Sequence, residues 1–259
     1  MSRYPERIIC LTEETVETLY LLGQDHRIVA VTGYAVRPAR VRREKPRVGA
    51  FTSADIPKIL SHKPDLVLTF SDLQADIAAE LIRKGITVLA FNQRRVKGIL
   101  DMIATLGRLT GAEDRAQRLI DAFTDRRAGL RPASPRPKVY FEEWDDPMIA
   151  SIGWASDLIG IAGGEDIFAH LSHQQAATDR IVTLEQVIAA NPDIIIGSWC
   201  GKKLNPARIA ARPGWDAIKA VQNGRIHEIK SPLILAPGPA ALTDGLDALV
   251  QIIEEATPC

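Results

Sequence analysis

The sequence predicts an α/β protein made of two similar lobes joined by helix, and three observations carry that reading. Short apolar runs alternate with amphipathic stretches through both halves of the 259 residues. One phrase occurs twice, "KPDLVLTFSD" at residues 63–72 and "NPDIIIGSWC" at residues 191–200, so Pro64 and Pro192 lie half a chain apart. Between the copies runs a wholly helical pattern from Arg95 to about Leu130, followed by "RPASPRPK", whose prolines and serine suit neither helix nor strand.

The elements follow in order. "RIICLT" is a short buried strand, and "EETVETLYLLG" a helix with Val16, Leu19 and Leu22 on one face and Gly23 at its stop. "RIVAVTGY" is a strand, "SADIPKILSHKP" a short helix, "DLVLTFS" a strand, "LQADIAAELIRKG" a helix closed by Gly85, and "ITVLAFN" a strand. Strands apolar throughout, alternating with helices, imply a parallel sheet covered on both faces. The helical stretch comprises "VKGILDMIATLGRLTG" and the charged, amphipathic "AEDRAQRLIDAFTDRRAGL". The alternation then resumes: "KVYFEEW" strand, "ASDLIGIAGG" and "TLEQVIAANP" helices, "DIIIGSW" strand, "NPARIAARPGWDAIKAV" helical, "RIHEIKS" strand, and the closing helix "GPAALTDGLDALVQIIEEA". The expected boundaries are an N-terminal α/β lobe over 1–112, an inter-lobe helix over 113–131 and a C-terminal α/β lobe over 132–259.

Composition excludes several classes of function. Lysine plus arginine (32) balances aspartate plus glutamate (32), so no global field recruits nucleic acid or an anionic membrane. No apolar run approaches the roughly 20 residues that span a bilayer. The opening apolar stretch is broken by Glu13, Glu14 and Glu17, so it does not read as a secretory signal; the expected location is cytoplasmic, or periplasmic if a leader was removed. Cys10, Cys200 and Cys259 form no CxxC pair, which argues against a zinc cluster or a disulfide framework, and Cys10 reads as a small core residue.

Ligands of open parallel sheets bind outside the carboxyl ends of the strands, so the residues just after each apolar run matter most. The chain has only four Trp, four Tyr and six Phe, yet Tyr34, Phe70, Phe91, Trp144 and Trp199 fall at these points. They offer flat contact surface to a large planar or apolar ligand, or else close the rims of the sheets. Acids accompany them: Asp72 after Phe70, and Glu142, Glu143, Asp145 and Asp146 around Trp144. No nucleophile with a base and an orienting group stands out, so the pattern assigns no catalytic residue and no metal ligand. Cys200 is a potential thiolate without an identifiable base. His170 and His173, three apart, suit a shared helical turn but read more simply as solvated residues. The basic run "RPARVRREKPR" at 37–47 follows Tyr34 and is either a solvated loop or a contact for an anionic ligand group.

The ordered set "RIICLTEETVETLYLLG", "RIVAVTGY", "PRVGAFTSADIPKILSHKPDLVLTF", "DLIGIAGGEDIF", "LEQVIAANPDIIIGSW", "RPGWDAIKAVQNGRIHEI" and "GPAALTDGLDAL" resembles the substrate-binding proteins of vitamin B12 and iron-siderophore ABC importers. The resemblance covers nearly the whole chain. It implies two Rossmann-like lobes with central parallel sheets, bridged by one long backbone helix near Glu113 to Leu130, and a corrinoid or other metal chelate held between them. It implies aromatic ligand contacts at Tyr34, Phe51 and Phe70 in the first lobe and at Trp144 and Trp199 in the second. The family's two permease-docking glutamates align near Pro57 and Leu235, neither of them acidic, which sets docking on a permease apart from ligand binding.

The resulting expectation is a non-enzymatic protein that binds cobalamin or a related chelate, with no covalently bound cofactor. Tyr34, Phe51, Phe70, Trp144 and Trp199 would supply stacking, and Asp72, Glu143 and Ser198 would fix orientation. The alternative on the same fold is a cytosolic enzyme handling a tetrapyrrole or metal, or a ligand sensor. The two copies of the phrase continue as Ser-Asp and as Cys-Gly-Lys-Lys, which predicts opposite charge on the two loops.

Overall fold

The computed structural model describes residues 3–131 and 134–256, so Cys259, and Pro132 and Ala133 of the predicted boundary, lie outside the described residues. The chain divides into two compact units. The first holds the residues up to Gln93 together with Lys97–Phe123, and the second holds Arg94–Val96 together with Thr124 onward.

The first unit runs β1 (Ile8–Cys10), α1 (Glu13–Leu21), β2 (Ile28–Val31), α2 (Val41–Glu44), α3 (Ile56–Ser61), β3 (Leu66–Phe70), α4 (Ala75–Arg83), β4 (Val88–Phe91) and α5 (Val96–Thr110). Its four strands are parallel in the order β2-β1-β3-β4. The apolar runs of β1 and β3 are buried at every position, as strands covered on both faces must be. Ile9, Leu11, Val67, Ile56, Ile59 and Leu81 form one core around them. Gly23 ends α1 with φ 69°, a conformation that a β-carbon would strain.

Helix α6 (Glu113–Gly129) contains the boundary, since Phe123 belongs to the first unit and Thr124 to the second. Its buried residues, Ala116 and Phe123, are seven apart and so share one narrow face, which is why the rest of it carries charge.

The second unit runs β5 (Lys138–Asp145), β6 (Met148–Ala150), α7 (Gly153–Ile161), β7 (Glu165–Asp166), α8 (Leu184–Ala190), β8 (Ile194–Gly197), α9 (Pro206–Ala210), α10 (Lys219–Gln222), β9 (Ile226–Glu228), α11 (Ser231–Ile234) and α12 (Leu246–Ala256). Strands β7, β5, β8 and β9 are parallel in that order. Counting only the parallel strands, the first of each unit therefore pairs with the second and the third, and the fourth lies outside the third. Two local expectations change. The sheet is not wholly parallel, because β6 turns back antiparallel on β5 across Asp146 and Pro147, pairing Asp145 with Met148. The predicted helical stretch from Asn205 breaks into α9, a 3-10 turn at Trp215–Ala217, and α10, because Pro213 and Gly214 (φ 75°) interrupt it. Among the described residues no helix is long and apolar enough to cross a membrane.

The doubled phrase has a physical cause. Lys63 and Asn191, at the ends of α3 and α8, both sit in the left-handed region (φ 47° and 48°), and the proline after each cannot continue a helix. The aspartate then ties the start of the third strand to the start of the first. The Asp65 carboxylate accepts from the Glu6 and Arg7 N–H groups at 2.7 and 3.0 Å, and its own N–H donates to the Arg7 carbonyl at 3.1 Å. The Asp193 carboxylate accepts from the Lys138 N–H at 2.9 Å while its N–H donates to the Lys138 carbonyl at 2.8 Å. Hydrogen bonds to a charged partner are worth about 1.5–3 kcal/mol, and less where water competes. Asp65→Ala and Asp193→Ala are each expected to lower unfolding free energy by about 1–2 kcal/mol. Urea titration checks this as a lower midpoint at unchanged slope.

Candidate functional site

Strand order in the first unit puts a topological switch between β1 and β3, whose onward connections leave on opposite sides and open a crevice at their carboxyl ends. Thr12, Glu13 and Glu14 follow β1 on one flank, and Ser71 and Asp72 follow β3 on the other. Ser71 has φ 58° and ψ 178°, strained for a residue with a β-carbon. It is held there by its N–H donating to the Phe91 carbonyl at 2.7 Å and by its Oγ accepting from the Leu73 N–H at 3.3 Å. Gln74 ties three segments together. Its buried amide accepts from the Phe70 N–H at 3.0 Å and donates to the carbonyls of Leu11 at 3.1 Å and Phe51 at 2.7 Å. Phe51 is half-buried, with its ring centroid 6.5 Å from that of Phe70 at 49°. The Gly33 N–H donates to the Gly49 carbonyl at 2.7 Å, drawing the Tyr34 and Phe51 loops together. Tyr34 is 50% exposed and Asp72 is exposed, whereas Phe70 is buried.

At the matching strand ends of the second unit a polar network lies within the core. Glu142, fully buried on β5, accepts from Arg212 through both oxygens at 2.6 and 2.9 Å, from the Tyr140 hydroxyl at 3.0 Å and from the Trp199 indole N–H at 3.2 Å. The Arg212 guanidinium also stacks 4.6 Å from the Trp215 ring centroid. Glu143 pairs with buried Arg180, whose Nη1 donates to the Ala150 carbonyl at 2.7 Å. Trp144 is half-buried, its indole N–H donating to the Asp146 carbonyl at 3.0 Å, with the Lys202 ammonium 3.9 Å from its ring centroid. Trp199, 4% exposed, is part of the hydrophobic core of this unit, and Ser198 is buried with its hydroxyl unpartnered.

The structure thus sorts the predicted residues by exposure. Tyr34, Phe51, Asp72 and Trp144 present surface at the strand ends. Phe70, Ser198 and Trp199 are buried, Glu143 is half-buried and ion-paired to Arg180, and the Trp199 indole N–H donates to Glu142. The predicted charge contrast between the loops is reduced, because Lys202 is ion-paired to Asp145 at 2.9 Å. Cys200, His170 and His173 are exposed. Among the described residues no three His, Cys, Asp or Glu side chains cluster as a metal site. Gln74, Glu14, Arg180 and Arg212 escaped the sequence reading. Two acids directly after an apolar strand, and a glutamate inside "VYFEE", were the available signals for Glu14 and for the partner of Arg212.

Burial sets the acid–base properties here. It pushes the Cys10 thiol up to about 12, leaving it inert. Burial pushes Glu13 up to about 7, with the charges of Glu14 and Glu17 adding to it. Burial likewise lifts Glu14 to about 7 against the opposing hydrogen bond of Thr12. These acids begin α1, where the helix dipole favours a carboxylate by only about 0.3–1 kcal/mol when exposed, too little to offset desolvation.

Two stability outcomes follow from these contacts. Arg212→Met leaves Glu142 as an unpaired buried charge and is expected to cost about 3–5 kcal/mol in urea denaturation, with Glu142→Leu in the same chain recovering part of it. Folded values of about 7 for Glu13 and Glu14 lie above the ordinary 4.5, so between these pH values the folded chain keeps protons that the unfolded chain has lost. Their contribution therefore lowers stability as pH rises through that window. Thermal melts from pH 5 to 8 should show Glu14→Gln gaining steadily on the unsubstituted protein.

Comparison with known proteins places the chain. The periplasmic binding protein family model matches residues 8–233. A vitamin B12-binding protein of Vibrio cholerae is 28% identical over 259 aligned residues, covering 95% of this chain and 87% of that protein. An uncharacterized ABC transporter substrate-binding lipoprotein of Bacillus subtilis is 25% identical over 266 aligned residues, covering 98% of this chain and 81% of that protein. The crystal structure of a possible iron-binding, periplasmic solute-binding protein from Staphylococcus epidermidis superposes with a TM-score of 0.82 at 25% identity, covering 97% of this chain and 99% of that one. With the family model spanning most of its length and both sheets arranged as described, the chain belongs to the periplasmic binding protein family.

Proposed function

We propose that this protein binds a corrinoid, cobalamin or a related metal chelate, through the aromatic surfaces at the carboxyl ends of its two sheets. The observation that carries the reading is the aromatic group at the β1/β3 switch of the first unit. Tyr34 stands half exposed on a loop hydrogen-bonded to that of Phe51, and Phe51 packs on Phe70. A flat ring lying on such a surface gains dispersion and apolar burial without a charge partner. Trp144, half-buried and packed against a core that includes Trp199, offers a second surface on the other unit. The similarity to a vitamin B12-binding protein over 95% of the chain favours a corrinoid within this class. Pro57, exposed at the first turn of α3, and Leu235, just after α11, stand where the family's docking glutamates align. The reading therefore concerns ligand capture rather than docking on a permease through those two positions.

Calorimetric titration with cyanocobalamin, dicyanocobinamide, haemin and a ferric hydroxamate siderophore is expected to give saturable one-site binding for at least one of the four. Four flat titrations would sink the reading. For the ligand that binds, Tyr34→Ala and Trp144→Ala should each weaken affinity by about 1–3 kcal/mol. A ligand at 100 times its dissociation constant should also stabilise the fold by about 2.7 kcal/mol.

A further inference from the structure

The strained turn after β3 holds an apolar side chain out in solvent. Leu73, in the 3-10 turn Asp72–Gln74, is 60% exposed, so it adds little to the core. The turn around it is fixed on both sides. Before it, the Ser71 N–H donates to the Phe91 carbonyl at 2.7 Å, and the Ser71 Oγ accepts from the Leu73 N–H itself at 3.3 Å. After it, the Gln74 amide accepts from the Phe70 N–H at 3.0 Å and donates to the carbonyls of Leu11 and Phe51 at 3.1 and 2.7 Å. The bond to the Phe51 carbonyl joins this turn to the Phe51 loop, and the bond from the Gly33 N–H to the Gly49 carbonyl joins that loop to the one carrying Tyr34. Leu21, Tyr34, Leu73 and Ile82 are the large apolar side chains most exposed among the described residues of this unit. Leu21 and Ile82 lie in helices α1 and α4, whereas Tyr34 and Leu73 follow the carboxyl ends of β2 and β3. Ser71 keeps a φ of 58°, a conformation that disfavours a β-carbon and that persists where surrounding bonds over-determine it, as at ligand clamps. A side chain on so fixed a turn loses little backbone freedom when a ligand covers it, so its burial contributes to affinity.

Resting on the ligand reading above, we propose that Leu73 is a further ligand contact, an aliphatic surface on the turn bonded to the Phe51 loop, and that Ser71 is the positioning residue that holds it out. The Leu73 methyl groups add apolar contact to a flat ring at the β1/β3 switch, alongside the aromatic surfaces of Tyr34 and Phe51. Ser71 acts through Leu73, by its strained backbone and by the acceptor it gives to the Leu73 N–H.

Cyanocobalamin and haemin are titrated by calorimetry into the unsubstituted protein, Leu73→Ala, Leu73→Met and Ser71→Gly, and the ligand-free thermal midpoint of each protein is recorded. For each probe that binds the unsubstituted protein, Leu73→Ala is expected to weaken affinity by about threefold or more, and Leu73→Met, which keeps the apolar volume, by less than about threefold. The midpoint of Leu73→Ala should stay within about 2 °C of the unsubstituted protein, as for an exposed side chain. Ser71→Gly removes both the strain and the Oγ acceptor, so its midpoint should hold or rise while affinity falls by about twofold or more. A smaller loss in Leu73→Ala, an equal loss in Leu73→Met, or a Leu73→Ala midpoint lowered beyond that range overturns the contact while leaving the ligand reading standing. A Ser71→Gly protein that keeps its affinity, or that melts lower, overturns the positioning role of Ser71. If neither probe binds the unsubstituted protein, the inference falls with the flat-ring reading on which it rests.

Discussion

The carboxylates of Asp65 and Asp193 set the alignment on which both sheets depend. Each grips the backbone at the start of the central strand, so the third strand of its unit begins at one defined point beside it. From there the register is forced: Ile8 pairs with Leu66 and Cys10 with Leu68, while Val139 pairs with Ile194 and Glu142 with Gly197. A slip of one residue would turn every side chain of β3 or β8 to the opposite face. It would also separate Gln74 from the Leu11 carbonyl and Trp199 from Glu142, dismantling the contacts that shape the strand ends. The arrangement at the carboxyl ends of the strands thus depends on contacts made at their opposite ends.

From that shared alignment the two units treat acids near the carboxyl ends of their central strands in opposite ways. Glu142 is surrounded by donors, and its burial is matched by a bidentate guanidinium, a phenol and an indole. Removing any one donor leaves charge exposed to a low-dielectric interior, so the network makes this face of the second unit stiff. Glu14 has less company, the Thr12 side chain and its own backbone N–H. Its burial raises the proton affinity of its carboxyl group and leaves one oxygen without a partner. An unmet buried acceptor of this kind lowers stability, and a neutral residue in its place is expected to raise it.

What was legible in the sequence follows the range of the interactions concerned. The strands were legible because burial on both faces demands unbroken apolar runs, as in "LVLTF" and "IIIG", and the end of α1 was legible because Gly23 adopts a left-handed backbone. The x-Pro-Asp repeat was visible as a pattern, and its cause needed only neighbouring strands. Strand β6 was hidden because three residues after a two-residue turn carry too little periodicity to register. Gln74 was hidden for another reason: two of its partners are backbone carbonyls 63 and 23 residues away, and nothing in "SDLQAD" announces them. Trp199 was visible as an aromatic at a strand end, but its burial is fixed by Glu142, 57 residues earlier. Exposure depends on such distant partners, so the sequence placed aromatic residues at the strand ends without separating surface from support.

The same logic resolves the charge pattern of the two loops. A lysine after an apolar strand suggests a positive rim, yet Lys202 reaches back to Asp145 and lies over Trp144, so its charge is neutralised within its own unit. Arg180 is used in the same way by Glu143, and Arg212 by Glu142. Glu142, Glu143 and Asp145 are thus matched by cations of their own unit, whereas Glu14 keeps an unpartnered oxygen. Apolar rings supply contact area to nearly any planar ligand and discriminate weakly among them, so selectivity must come from the few polar groups left unmatched beside them. Among the described residues the buried polar atoms left unmatched near the strand ends include the Glu14 Oε1 in the first unit and the Ser198 hydroxyl in the second.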